Sequence, residues 1–218
     1  MRILLDRVEV KSQDELDKCI NEGKIAIIID CNVIVSNNTK AKAIGSSKTT
    51  ALNGNYVIAR GNSHVEAKGN SHIIAMDNCS IDARDYSTVE AKDYTNVYSF
   101  DHAKVLAWNN SNIKAYNRSV VKARDYSTVH AWDLSSVLSF AKSTVHAGEN
   151  SKITCYGLST VYANDNSEIV SKEYSYVVAR DSSIIEAKGN SIVRNINCPK
   201  RNITILENAK LIDYNARD

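Results

Sequence analysis

The hydrophobic pattern of this chain has a period of eight. From Ser63 to Asn195, small residues such as Ser63, Ser71, Cys79, Ser87 and Ser191 share one phase. Two places on stands Val or Ile, as in Val65, Ile73, Ile81, Val89 and Val193. Two places further comes another small residue, as in Ala67, Ala75, Ala83, Ala91, Ser99 and Ala187. The unit S-x-V-x-A plus three residues runs unbroken through seventeen octads. A fixed short period of this kind predicts a solenoid. The alternation predicts short strands with Ser, Val and Ala pointing inward. The remaining three positions turn the chain. Their middle position holds Gly61, Gly69, Asp77, Asp85, Asp93, Asn117, Asp125 and Asp133 among others. These residue types tolerate left-handed backbone.

The inward set decides the coil. One Val or Ile flanked by Ser and Ala fills a thin space between two sheets, and would leave voids in a three-sided prism. The expected fold is therefore an all-β parallel β-solenoid, a two-sheet β-roll with about 16 residues per coil, the alternative being a three-sided coil of about 24. A longer repeat overlies the octads. Arg84-Asp85-Tyr86-Ser87-Thr88-Val89 recurs as Arg124-Asp125-Tyr126-Ser127-Thr128-Val129, and Ser99-Phe100 as Ser139-Phe140. The offset is five octads, which reads as duplication in octad units.

The flanks differ. Ile3 to Val10 predicts a strand, and Ser12-Gln13-Asp14-Glu15 is a capping box that starts a helix at Gln13. Leu16, Cys19 and Ile20 give that helix an apolar face, and Gly23 is its expected C-terminal stop. Residues 1–22 are thus an N-terminal strand-helix cap, residues 23–195 the solenoid, and residues 196–218 a C-terminal cap and tail. Asn37 to Asn55 is polar and degenerate, so looser coils are expected there.

Composition narrows the function classes. Formal net charge is +2, which supplies no strong field for nucleic acid or acidic membrane. Met1 to Leu5 is followed by Asp6 and Arg7, so no secretory apolar segment is read, and no run is long enough to span a membrane. The five cysteines show no paired or metal-type spacing. The expectation is a reduced, cytoplasmic protein of a bacterium.

The octads resemble short-repeat bacterial β-solenoids. They are similar in chemistry to the β-roll heads of trimeric autotransporter adhesins and in architecture to bactofilins. The resemblance implies the fold and not the function. Intracellular octad solenoids of this look imply a phage-encoded or mobile-element protein.

No nucleophile elbow, P-loop, Cys-x-x-Cys or H-E-x-x-H occurs, so the chain is read as not an enzyme and without cofactor. His130 and His146 stack in a two-octad coil beside Tyr162, with no third ligand, and no metal site is expected. Thr128, Thr144 and Thr160 form one column without the second that ice binding needs. The first turn position is the most informative. It carries Phe100, Tyr116 and Trp132 along one edge, and Trp108, Arg124, Phe140 and Tyr156 along the other. Aromatic rings with basic neighbours suit a partner-binding edge. Apolar residues at outward positions near the C-terminus, namely Val170, Tyr176, Val178, Ile184 and Ile192, predict self-association as a homodimer.

The expected function is a non-catalytic binding protein that presents a rigid surface to a protein or nucleoprotein complex. Its most concrete form is an inhibitor of a host defence nuclease. Nucleic-acid binding along the basic and aromatic edge, a self-assembling scaffold and a carbohydrate-active solenoid are the alternatives.

Overall fold

The structure, a computed structural model, describes residues 7–36 and 38–214. The chain divides into two compact units, Met1–Val105 and Leu106–Asp218. Each is a two-sheet parallel solenoid.

In the first unit one sheet holds the strands Arg7–Val10, Ile25–Ile29, Lys40–Ile44, Tyr56–Ala59, His72–Ala75 and Thr88–Ala91. The second holds Asn32–Val35, Lys48–Ala51, His64–Ala67, Ser80–Ala83 and Asn96–Ser99. The chain alternates between the sheets, so each strand pairs with the strand two octads away. Val57 lies beside Ile73 and Ile73 beside Val89, a step of one coil of 16 residues. The second unit repeats the plan. Its first sheet runs from Val120–Ala123 through Ser136–Ser139, Lys152–Cys155, Glu168–Ser171 and Ile184–Ala187 to Ile203–Ile205. Its second sheet runs from Asn112–Ala115 through Thr128–Ala131, Thr144–Ala147, Thr160–Ala163, Tyr176–Ala179 and Ile192–Asn195 to Lys210–Asp213. Val121 lies beside Val137, and Val129 beside Val145. The two-sheet coil expected from the small inward residues is the observed one.

Inward positions are buried, including Val65, Ile81, Val89, Val129 and Val161. Inward serines have a second task. Ser127 Oγ donates to the Arg124 carbonyl (2.7 Å), Ser143 to Phe140 (2.8 Å) and Ser159 to Tyr156 (2.7 Å). Each hydroxyl closes the turn that precedes it.

The helix Gln13–Asn21 closes the start of the solenoid. Ser12 Oγ accepts from the N–H of Glu15, as the capping box requires, and Glu15 reaches back to the N–H of Lys11. Gly23, at φ +67°, donates to Ile20 while Lys24 donates to Cys19, the paired bonds of a Schellman stop. Leu16 and Cys19 are buried with Val10 and Ile28. Gln13 takes the place of a missing strand: its amide accepts from Ile34 N–H (2.8 Å) and donates to Ile34 C=O (3.1 Å). That satisfies backbone groups on the outermost strand of the second sheet. The expected strand is described over Arg7–Val10, and Ile3 to Asp6 lie outside the described residues.

The polar segment before Tyr56 keeps the coil. Its turns are not uniform: Gly45 carries a positive φ at the middle turn position, whereas Gly54 carries it at the third. Buried Asn55 stitches this region, accepting from Thr39 N–H (2.7 Å) and donating to Val35 C=O (2.6 Å). After Asn195 the chain extends both sheets rather than folding across them: Ile203 pairs with Ile185, and Leu211 with Val193. The short 3-10 turn Lys200–Asn202 takes up the change of spacing. Of the tail expected to fray, residues 215–218 lie outside the described residues.

Candidate functional site

Turns leaving the first sheet form one edge of each unit, and turns leaving the second sheet form the other. The middle turn residue adopts left-handed backbone throughout, from Gly61 (φ +72°) to Asp133 (φ +55°). Its side chain also reaches the preceding coil. The N–H of Gly61 donates to Asp77 Oδ2 (3.0 Å), that of Gly69 to Asp85 (2.8 Å) and that of Asp77 to Asp93 (3.3 Å). In the second unit Asn117 donates to Asp133 (2.7 Å), Asp133 to Glu149 (3.0 Å) and Gly157 to Glu173 (2.8 Å). A carboxylate that accepts a backbone N–H one coil away staples the turns together. Ala141 and Gly157 have no carboxylate, so the staple lapses at those two turns of the first edge.

This interrupted stretch is flanked by the densest aromatic and basic array on the first edge of the second unit. At the first turn position the Arg124 guanidinium lies 5.6 Å from the Phe140 ring centre, Phe140 stacks on Tyr156 (5.1 Å, 8°), and Lys172 Nζ sits 5.1 Å from the Tyr156 ring. Lys172 also donates to Tyr156 Oη (3.3 Å). At the third turn position Lys142 Nζ lies 5.5 Å from the Tyr126 ring and donates to its hydroxyl (3.4 Å). Phe140 and Tyr156 are half-buried by their stacking, whereas Tyr126 (60 %), Leu158 (59 %) and Tyr174 (65 %) stand exposed. The third position went unread in the sequence because it holds no constant residue type. Its signal was nonetheless present in the phase shared by Tyr86, Tyr94, Tyr126, Leu134, Leu158 and Tyr174.

The second edge is built differently. In the second unit Tyr116 stacks on Trp132 (5.0 Å), Trp132 on His130 (5.6 Å), His130 on His146 (4.7 Å) and His146 on Tyr162 (4.9 Å). The stack starts at the turn and crosses onto the outer face of the second sheet. Buried Gly148 lies beside the ring, and an added Cβ there would meet Asp165 Oδ2 at 3.1 Å and only touch Trp132 at 3.4 Å. Burial holds the His130 imidazole below its ordinary value, with His146 and Lys114 adding to the effect, and burial does the same at His146. Among the described residues no group of three or more His, Cys, Asp or Glu is arranged to hold a metal ion. In the first unit Arg84 lies 5.0 Å from the ring of Phe100, and exposed Tyr86 (64 %) stacks on His102 (5.1 Å).

Of the edge residues read from the sequence, Tyr116 and Trp132 meet on the second edge, and Arg124, Phe140 and Tyr156 meet on the first. Trp108 is half-buried at a first-edge turn of the second unit, and Phe100 belongs to the first unit. The five outward residues near the C-terminus do not form one patch. Val170 and Ile184 project from the first sheet, and Tyr176, Val178 and Ile192 from the second. Val178 is only 4 % exposed. Its neighbours in register, Tyr162 and Arg194, flank it, and Arg194 lies 4.2 Å from the Tyr214 ring.

Fold and edge together define a two-sheet parallel β-solenoid with a stapled, aromatic and basic rim. No protein-family model, curated protein or solved structure matches the chain. No helix among the described residues is long and apolar enough to cross a membrane.

Proposed function

We propose that this chain is a non-catalytic binding protein whose first edge, in the second unit, grips a macromolecular partner. The observation that carries the reading is the exposed row Tyr126, Leu158 and Tyr174 beside Arg124, Lys142 and Lys172. Tyrosine and arginine are the common anchors of protein interfaces, and here they stand on turns fixed by ladder bonds, so little conformational entropy is lost on binding. The concrete form of the reading is a phage or mobile-element protein that blocks a host nuclease complex in a bacterial cytoplasm. A self-association surface belongs to the same reading. The split of Val170, Tyr176, Val178, Ile184 and Ile192 over two sheets moves it to the last coil, where Leu206, Leu211 and Ile212 are exposed.

The test is retention of a host partner by the immobilised protein. Replacing Tyr126, Leu158 and Tyr174 together with Ala should abolish retention and leave the melting temperature within the range of surface substitutions. Equal retention by the triple variant would remove the edge from the reading. A labelled single-stranded oligonucleotide, titrated at two salt concentrations, separates the nucleic-acid alternative: tight, salt-dependent binding lost in the same variant would replace the protein partner with nucleic acid.

A further inference from the structure

The outer face of the first sheet, in the first unit, carries a hollow of about 330 Å³ that the edge does not use. Its floor is apolar, made by Ile25, Ile27, Ile58 and Met76, with the Tyr56 ring to one side. Outward residues of a solvated sheet are normally polar, so isoleucines here already depart from the pattern. Four cations stand around them: Arg7, Lys40, Lys42 and Arg60. Register explains the grouping. Ile27, Lys42 and Ile58 are successive cross-strand neighbours, and Arg7, paired with Ile25, and Lys40, paired with Tyr56, occupy the adjacent column.

Among the described residues no carboxylate lines the hollow. Glu9, which neighbours Ile27 in register, lines a different depression with Glu15 and Lys18. Glu90 is engaged by His72 (3.8 Å) and Lys92 (3.5 Å). Among the described residues none of the four cations forms an ion pair. Four like charges around one apolar hollow repel each other, and that repulsion is relieved by an anion of more than one charge. The Tyr56 ring, stacked on His72 at 5.3 Å and 16°, offers a flat side wall. The volume lies at the small end of the range for small-molecule sites.

We infer that this hollow is a binding site for a phosphate group joined to an apolar body, the cations holding the phosphate and the isoleucines, Met76 and Tyr56 holding the body. The body is either a flat base, as in a nucleotide, or an alkyl chain, as in a lipid fragment. Both satisfy the same recognition chemistry. The site shares no residue with the proposed partner edge and stands whether or not that reading holds.

Calorimetric titration of the full chain tests it with three probes: adenosine 5′-monophosphate, octyl phosphate below its micelle concentration, and inorganic phosphate. The expected result is saturable binding of at least one of the first two, about tenfold or more tighter than inorganic phosphate. Lys42→Glu and Arg60→Glu should each weaken it about tenfold or more, with melting temperature unchanged; Lys42→Gln serves if the charge reversal fails to fold. Lys152→Glu, on the same sheet type in the second unit and paired with Glu168, should leave binding unchanged. Tighter binding of the nucleotide, weakened by Tyr56→Leu, identifies a flat body; tighter binding of octyl phosphate identifies a chain. The inference fails if neither amphiphile saturates, if inorganic phosphate binds as well as both, or if the Lys42 and Arg60 variants bind like the wild type.

Discussion

The middle turn residue does two things with one side chain: it accepts a left-handed backbone and it bonds to the turn of the preceding coil. That double duty explains Glu149 (φ +53°) and Glu173 (φ +58°), which are not usual residues for this conformation. Their carboxylates bond to Asp133 and Gly157, which offsets the steric cost. Asp133→Ala should therefore destabilise the protein by about 1–2 kcal/mol in chemical denaturation, and Asp133→Asn by less, because an amide oxygen still accepts. Asn197 already does this for Asp181 (3.1 Å). Ala141 (φ +58°) bears the strain with no staple, so Ala141→Asp should stabilise by about 1 kcal/mol. A loss of stability in that variant would show that the carboxylate cannot reach the N–H of Asp125. The left-handed turns at Gly61, Asp77 or Asn117 were legible in the sequence from residue type. Ala141 and Glu149 were not, since the surrounding ladder imposes the conformation on residues that do not ask for it.

The inward hydroxyls that follow the turns are bonded throughout the first edge of the second unit but only in part along the second edge. After first-edge turns the inward hydroxyls of Ser127, Ser143, Ser159 and Ser175 all donate to a carbonyl. After second-edge turns Ser71, Ser87, Ser119, Ser135 and Ser151 have buried hydroxyls without a partner, while Ser167 and Ser183 donate to the carbonyls of Asn164 and Arg180. Ala103 occupies the same phase naturally. Ser135→Ala should consequently be neutral within about 0.5 kcal/mol, and Ser127→Ala should cost about 1 kcal/mol. Equal costs would mean that the second-edge hydroxyls are satisfied in solution. The ring stack on the second sheet gives a pH signature. Its two imidazoles have depressed folded values, so the unfolded chain binds more protons as pH drops below about 6.5, and stability falls with it. The melting temperature should decline between about pH 7.5 and 5.5 in the wild type, and less so when His130 and His146 are both replaced by Phe. The octad phase announced the column His130, His146, Tyr162. It gave no sign that Trp132 would stack on that column, because the octad phase places Trp132 in the turn and says nothing of where its ring packs.

At the scale of the whole molecule the two ends contrast. The beginning of the solenoid is closed by Leu16, Cys19 and the Gln13 amide. In the last coil Leu211, in register with buried Val193, is 37 % exposed. Apolar surface at a sheet edge invites another copy. Light scattering should report about twice the chain mass, and Leu206→Lys with Leu211→Lys should return a folded monomer. A wild type that stays monomeric at high micromolar concentration would reject pairing through this coil. The thin coil and the strand-helix cap were readable from volume and capping chemistry. The final coil was not, since a change of spacing after Asn195 broke the phase by which the strands had been found.

The five-octad duplication has a consequence for valency. A coil takes two octads, so a copy displaced by an odd number lands on turns that leave the other sheet. Arg84 lies over Phe100 on the second edge of the first unit, and Arg124 over Phe140 on the first edge of the second. Tyr86 and Tyr126 stand exposed beside them in the same order. One peptide motif is thus displayed twice per chain, on edges of different kind. A ligand that reads Arg, Phe and Tyr together would titrate with a stoichiometry of two per chain, one copy on each unit.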